Sequence, residues 1–343
     1  MRHVFITGAA GFIGGYAVKE FVAQGSHVLA LIHRRRSAEL QALAERGAVT
    51  IVQGDVTRPA DLRTVLRREL GRRNAGLDAI VHCAGRATDV GWRRSFRRTN
   101  FEAVRHMACL AKEFDACRFV FISTTDVYGL RDFNGEREEQ LSLRANVRNP
   151  YPEFKIAAEN WIREHLAPAQ FAILRPATVW GVGDPTFAPR ILAFLRWSPW
   201  IVHFGKWRGR NRWPLAHVRN VAAGIYLAAT LPEAAGQAIN VLDNEVTTAD
   251  EFYRALAGIF MDGRRFRSIT VPFALGQVLA RSVSLLSNLL NLNRPFLDPS
   301  FYALHFASRN LDFSNERFQR LLAQGCRTVF TREQGIAELQ AAH

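Results

Sequence analysis

Lysine is scarce in this chain of 343 residues: only Lys19, Lys112, Lys155 and Lys206 occur, and arginine supplies the other 41 of the 45 basic residues. Against 31 acidic residues the formal balance is +14. So one-sided a use of arginine reads first as codon usage in a GC-rich genome, and second as attraction to an anionic membrane surface or an acidic ligand. The arginines are dispersed and no nucleic-acid motif accompanies them, so no nucleic-acid partner is expected. Cysteine is sparse too. Cys83, Cys109, Cys117 and Cys326 form no CxxC pair and no zinc spacing, which assigns no metal and suits a reducing, cytoplasmic setting. The chain opens on a strand running into glycines rather than on an apolar leader, so no secretory signal is expected. No internal repeat occurs. The most apolar stretch, 271–297, is interrupted by Arg281, Ser282, Ser284, Ser287 and Asn288. A membrane span needs about 20 mostly apolar residues, so this stretch reads instead as a pocket-lining or surface-docking helix pair.

What is present is a folded globular composition, 48% apolar and 22% charged, which rules out wholesale disorder. Strand-like runs at 3–7, 27–32, 49–52, 78–83, 118–123 and 171–174 alternate with helical stretches, among them 13–23, 60–70, 97–114 and 152–165. That rhythm predicts βαβ units and an α/β fold with a doubly wound parallel Rossmann sheet over 1–180. From 181 to 213 it loosens into tryptophans, prolines and arginines, read as irregular or short helical structure. A strand–helix signal returns at 217–231 and 238–242, so 214–244 is expected to rejoin the first unit. Residues 181–213 and 245–343 then form a smaller, mostly helical substrate domain.

Thr7-Gly8-Ala9-Ala10-Gly11-Phe12-Ile13-Gly14 lies between the first strand and the first helix, the context a dinucleotide turn requires. Gly8 permits the tight turn, Gly11 lets the backbone approach a pyrophosphate, and Gly14 lets helix and strand pack closely. The helix start at Phe12 and Ile13 offers free N–H groups to the phosphates. Where NAD-binding folds place a carboxylate at the end of the second strand, this chain has His33, Arg34 and Arg35. Arg34 or Arg35 would clasp a 2′-phosphate by charge-assisted bonds, which points to NADP(H), with NAD(H) the alternative. A solvated arginine run is the plainer reading. Asp55 and Val56 follow the third strand, and Ala84 and Gly85 the fourth, both at strand ends where ligands sit. Asp55 suits a bond to the adenine amino group or, failing that, a helix cap; the Ala84-Gly85 backbone suits a course along the cofactor. Thr88, Asp89 and Trp92, just beyond, are further substrate-facing candidates.

Tyr151 and Lys155 are four apart near the start of a predicted helix and so share a face. A free phenol, with a pKa near about 10, exchanges its proton poorly at neutral pH; a neighbouring ammonium is expected to lower it. Ser123-Thr124-Thr125-Asp126 ends the fifth strand with hydroxyls fit to hold a substrate oxygen.

With these motifs assembled, the chain resembles an extended short-chain dehydrogenase/reductase over essentially its full length. The glycine turn, Gly54-Asp55-Val56, Ala84-Gly85, Ser123 to Gly129, Tyr151/Lys155, Leu174 to Gly181 and His217 to Ala222 carry the resemblance. It implies that Tyr151 is the general acid/base, that Lys155 tunes it and binds the nicotinamide ribose, and that Thr124 is the catalytic hydroxyl. It also implies that Pro176, Thr178 and Val179 line the nicotinamide, and that a homodimer forms through 97–114 and 151–165. Dehydratases of this superfamily carry Thr-Asp-Glu where this chain reads Thr124-Thr125-Asp126, so dehydration is disfavoured. Epimerases place a diphosphate-binding arginine near Arg212, which stands one position off.

The order of the C-terminal elements resembles the 3β-hydroxysteroid dehydrogenase-like branch. Those elements are Val271 to Ala274, Arg294-Pro295-Phe296-Leu297 and Arg309 to Arg317. The expected activity is therefore an NADP(H)-dependent ketoreductase or alcohol dehydrogenase for a bulky hydrophobic, sterol-, polyketide- or isoprenoid-like substrate. A nucleotide-sugar epimerase with tightly bound cofactor and a non-catalytic NADP(H)-binding redox sensor are the alternatives. The 271–297 segment and the tryptophan-rich 197–213 segment read either as the wall of a lipophilic pocket or a peripheral membrane contact, or as ordinary core and dimer contacts.

Overall fold

Runs such as Val4-Phe5-Ile6 and Phe119-Val120-Phe121 are apolar at every position rather than at alternate ones, so they need cover on both faces. All six of these side chains are fully buried. The protein was studied as a computed structural model that describes residues 3–145, 149–261, 264–292 and 299–343. Seven parallel strands form its centre, in the spatial order Ala238–Val241, Phe171–Pro176, Arg118–Ile122, Ala79–His82, His3–Thr7, His27–Ile32 and Val49–Gln53. The first three strands in sequence run one way across the sheet and the fourth starts the other way. His3–Thr7 and Ala79–His82 therefore flank the point where strand order reverses, the crevice in which doubly wound sheets bind ligands. Thr7 Oγ1 and His82 Nδ1 lie 2.9 Å apart there, and the Ala84 amide donates to Thr7 Oγ1 at 3.2 Å.

Apolar layers pack both sheet faces, one including Phe21, Tyr128 and Phe318, the other Phe5, Met107 and Phe119. A further cluster around Trp180, Leu195, Trp213 and Phe252 holds the C-terminal elements together.

Several elements differ from the sequence reading. The 97–114 helix is really Arg93–Arg97, a π-helical turn Arg98–Glu102, and Ala103–Glu113. Residues 181–213 are more regular than expected, with an 11-residue helix Phe187–Trp197 and a strand Trp200–Phe204. That strand pairs in parallel with Arg267–Val271, so the region past 246 is not purely helical. In place of a helix pair, the apolar stretch gives one long helix, Phe273–Leu289; the Arg294-Pro295-Phe296-Leu297 element lies outside the described residues. Among the described residues no helix is long and apolar enough to cross a membrane.

Candidate active site

The glycine turn forms as a cradle that side chains would fill. Gly8 has φ +67°, and a Cβ there would meet the Ala84 backbone nitrogen at 2.9 Å; one on Gly14 would meet the Gly8 carbonyl oxygen at 2.1 Å. The Gly11 amide donates to Gly8 O at 2.8 Å. Gly11 then caps the helix Phe12–Ala23, which has neither a side-chain cap nor an acidic residue in its first turn. The leading N–H groups at Phe12 and Ile13 thus face outward at the positive end of the helix, fit for an anion.

At the end of the second strand His33, Arg34, Asp55, Arg58 and Asp61 border an open cleft of about 390 Å³. Arg34 belongs to it, whereas Arg35, exposed like Arg34, lies outside its lining. Arg58, just ahead of the helix Pro59–Arg73, is a second cation there that the sequence reading passed over. Asp55 does not cap that helix: its Oδ1 accepts from the amide and the hydroxyl of Thr57, both at 2.8 Å, and its Oδ2 lies 3.8 Å from His33 Nε2. Val56 packs against the apolar layer beneath.

Across the crevice, Asn149 accepts from the Tyr151 amide at 2.8 Å and, with Pro150, starts the helix Pro150–His165. One turn on, buried Lys155 donates to the Ile122 carbonyl at 2.6 Å and sits 4.7 Å from the Phe121 ring centre. Its Nζ lies 5.9 Å from the Tyr151 ring centre, and 3.6 Å from where a Cβ on Gly85 would be. The Tyr151 hydroxyl is buried, with the Thr124 side chain beside it. Thr124, Tyr151, Lys155 and Gly85 therefore converge at the carboxyl ends of the fourth and fifth strands. Pro176 ends a neighbouring sheet strand, with Thr178 and Val179 half-buried beyond it.

The electrostatics differ from the sequence expectation. Burial, and next the charge of Asp126, push the Tyr151 phenol above its ordinary range, with the Thr124 hydroxyl opposing them. Lys155 is instead lowered to about 8 by its own burial. Its ammonium is turned to the Ile122 carbonyl rather than to the phenol oxygen, so the anticipated lowering of Tyr151 does not arise. Such a phenol keeps its proton at neutral pH, which equips it to donate one to a developing alkoxide.

Three further residues shape the site. Asp126 is pushed up to about 6 by burial, partly offset by the hydroxyls of Tyr302 and Thr124. Tyr302 arrives from a distant helix, Phe301–Ala307, and no local sequence signal marks it. Asn100, fully buried inside the π turn, accepts from the Arg86 amide at 2.7 Å and donates to the Arg86 carbonyl at 2.9 Å, fixing the chain just after Gly85. An extra residue in a helix turn is a common way to re-aim a side chain, and an unbroken helical reading of 97–114 hides it. Asp89 serves as a clamp, accepting from Arg190 and Ser300, and the Trp92 ring is exposed. The Arg212 guanidinium is committed to Asp312 at 2.5 Å.

A model of the NAD dependent epimerase/dehydratase family matches residues 4–241. The chain is 29% identical over 205 residues to the 2-alkyl-3-oxoalkanoate reductase of Shewanella oneidensis, covering 56% of this chain and 49% of that protein. It is 29% identical over 234 residues to the 4-hydroxy-2-methyl-3-oxo-4-farnesyl-3,4-dihydroquinoline-1-oxide ketoreductase of Stigmatella aurantiaca, covering 66% and 64%. The match thus spans about half the length of the first relative and under two thirds of the second. Among solved structures, the dTDP-glucose 4,6-dehydratase of Bacillus anthracis in complex with NAD superposes with a TM-score of 0.71 at 16% identity, over 99% of this chain and 96% of that one. At that identity the likeness is one of fold.

Proposed function

The chain belongs to the NAD dependent epimerase/dehydratase family, and on that premise we propose that it is an NADP(H)-dependent ketoreductase acting on a bulky lipophilic ketone. As a member of the extended short-chain dehydrogenase/reductase type, it is an NAD(P)-dependent oxidoreductase. The observation that carries the reading is the convergence of Tyr151, Thr124, Lys155 and Gly85 at one strand end, with Lys155 Nζ 5.9 Å from the Tyr151 ring centre.

The residues fit a dinucleotide. The cradle closed by Gly8 and Gly14 leaves room for a backbone–phosphate contact and no room for side chains, and the helix start at Phe12 and Ile13 supplies N–H donors. Arg34 and Arg58 border the cleft where a 2′-phosphate would lie, which supports NADP(H). The cofactor, when bound, supplies the hydride for the carbonyl carbon.

This chain's own residues do the remaining work. Thr124 orients the substrate oxygen, and Tyr151 gives that oxygen its proton as the carbonyl becomes an alcohol. Lys155, beside Gly85, would hold a nicotinamide ribose hydroxyl. Placing both reactants at one strand end removes much of the entropic barrier. A lipophilic substrate is supported by the Stigmatella ketoreductase and by the apolar helix Phe273–Leu289. The C-terminal end of that helix is bonded to the loop after Gly85: Asn288 Oδ1 accepts from the Gly91 amide at 2.7 Å.

Purified protein with NADPH is offered lipophilic cyclic ketones and nucleotide keto-sugars. Consumption of NADPH with a lipophilic ketone, abolished by Tyr151→Phe while NADPH still binds, is the expected result. Unchanged turnover in Tyr151→Phe discards the mechanism. A nucleotide sugar interconverted without net NADPH loss would instead establish an epimerase, and silence on both panels with NADPH bound would favour a non-catalytic sensor.

A further inference from the structure

A helix at a protein surface ordinarily turns one apolar stripe inward and a polar one outward. Phe273–Leu289 breaks that rule. Its inner stripe, Gly276, Ala280, Val283 and Ser287, is buried, with Gly276 against Phe204 and Leu304. Its outer stripe is Leu275, Val278, Leu279, Leu285, Leu286 and Leu289, exposed by 68%, 71%, 51%, 62%, 49% and 67% respectively. Arg281 is the one charged residue along it. Isolated exposed leucines are ordinary, but six on one helix face make a contiguous patch that needs an occupant.

The surroundings identify the kind of occupant. The strand leading into this helix, Arg267–Val271, pairs with Trp200–Phe204 in a register that sets Arg267 beside Trp200. Trp197 and Trp200 are exposed, and Arg264 donates to the carbonyls of Leu195 and Arg196 beside them. Neither 187–213 nor 264–292 contains an aspartate or glutamate, while together they carry ten lysines and arginines; Arg190, Lys206 and Arg212 are met by Asp89, Asp132 and Asp312, and the other seven set the sign of the border. Apolar helix face, exposed tryptophans and a net-basic border are what the interface of an anionic bilayer accommodates: acyl chains for the leucines, the headgroup level for tryptophan and arginine. A second copy fits less well, because a two-fold contact would set this basic border against its own duplicate.

We propose that the outer face of Phe273–Leu289, with Trp197, Trp200 and Arg267, is a docking surface for an anionic phospholipid membrane. The docking stands independently of the ketone reading. If that reading also holds, the membrane-facing helix adjoins the site mouth, because Asn291 Oδ1 accepts from the Trp92 amide at 3.1 Å and Leu292 O from Arg86 at 3.1 Å.

The test is sedimentation of the full chain with vesicles of phosphatidylglycerol or of phosphatidylcholine, at low and high salt. Expected are pelleting with phosphatidylglycerol that weakens with salt, and a drop of tenfold or more in partitioning for L275E/L279E/L286E. Reversing the charge of Arg267 and of the neighbouring, exposed Arg265 (R265E/R267E) should lower phosphatidylglycerol binding and leave phosphatidylcholine binding unchanged. NADPH binding, read separately, reports whether each variant is folded. Failure of the wild-type protein to pellet with phosphatidylglycerol at low salt overturns the proposal, as does pelleting indifferent to the leucine substitutions. A solution dimer that L275E/L279E/L286E dissociates, in a protein that ignores vesicles, would show that a second copy covers the face.

Discussion

Arg175 and Glu159 meet in a buried two-pronged ion pair, Nε donating to Oε1 at 2.9 Å and Nη2 to Oε2 at 2.5 Å. Arg175 lies on a central strand one residue before Pro176, and Glu159 lies one helical turn beyond Lys155. Arg175 Nη1 also donates to the Tyr128 hydroxyl, which donates to Asn240 on the edge strand, both at 2.7 Å. The pair thereby fixes the rotation of the helix that presents Tyr151 and Lys155. Burial alone would raise the Glu159 carboxyl, yet the Arg175 guanidinium holds it below its ordinary range. Removing one partner of such a pair strands a buried charge. Glu159→Gln is therefore expected to lose about 3–5 kcal/mol in urea unfolding, and the double change Glu159→Leu with Arg175→Met to recover a large part. A loss under about 1 kcal/mol for Glu159→Gln would deny the pair this role.

Two adjacent glycines behave oppositely. A Cβ on Gly14 would stand 2.1 Å from the Gly8 carbonyl oxygen, and backbone cannot step aside as a side chain can; on Gly15 it would stand at an ordinary 3.5 Å from Ala9 O. Gly14→Ala should therefore abolish NADPH binding in a fluorescence titration and lower Tm. Gly15→Ala should bind NADPH normally and, sitting inside a helix, gain about 0.5–1 kcal/mol. Equal behaviour of the two variants would show that helix and turn do not pack in the way the cradle requires.

Arg34 borders the second-strand cleft and Arg35 does not. A charge-assisted bond to a phosphate is worth about 1.5–3 kcal/mol, so Arg34→Ala should weaken NADPH binding roughly tenfold or more and leave NADH binding unchanged. Arg35→Ala should alter neither. Wild-type protein that prefers NADH sinks the assignment.

The parallel sheet and the glycine turn were legible in the sequence because both are local: uniformly apolar runs and a glycine spacing mean the same thing wherever they occur. Tyr151 and Lys155 were legible for the same reason, one helical turn placing them on one face. The tuning of Tyr151 was not. It depends on burial, on Asp126, which Tyr302 from a helix about 150 residues later in the chain tunes in turn, and on the choice of Lys155 to donate to the Ile122 carbonyl. Asn100 was hidden by a helix with one residue too many in a turn. The outer leucines of Phe273–Leu289 could be counted from the sequence, but which face the fold leaves uncovered is settled only by the packing of Gly276 on Phe204 and Leu304.

Asp126 makes the buried site sensitive to pH. Its folded pKa is raised by burial to about 6 from 3.8, so the fold favours the protonated carboxyl. That contribution is fully present below the unfolded value, and it is lost as pH rises through about 6, where a buried and only partly compensated charge appears. Asp126→Asn keeps the shape and cannot ionise. Its stability relative to wild type should rise between about pH 4 and about pH 7.5, by up to roughly 3 kcal/mol. Denaturant unfolding across that window checks it: a difference between the two proteins that stays constant with pH would mean that Asp126 ionises as readily in the folded chain as in the unfolded one.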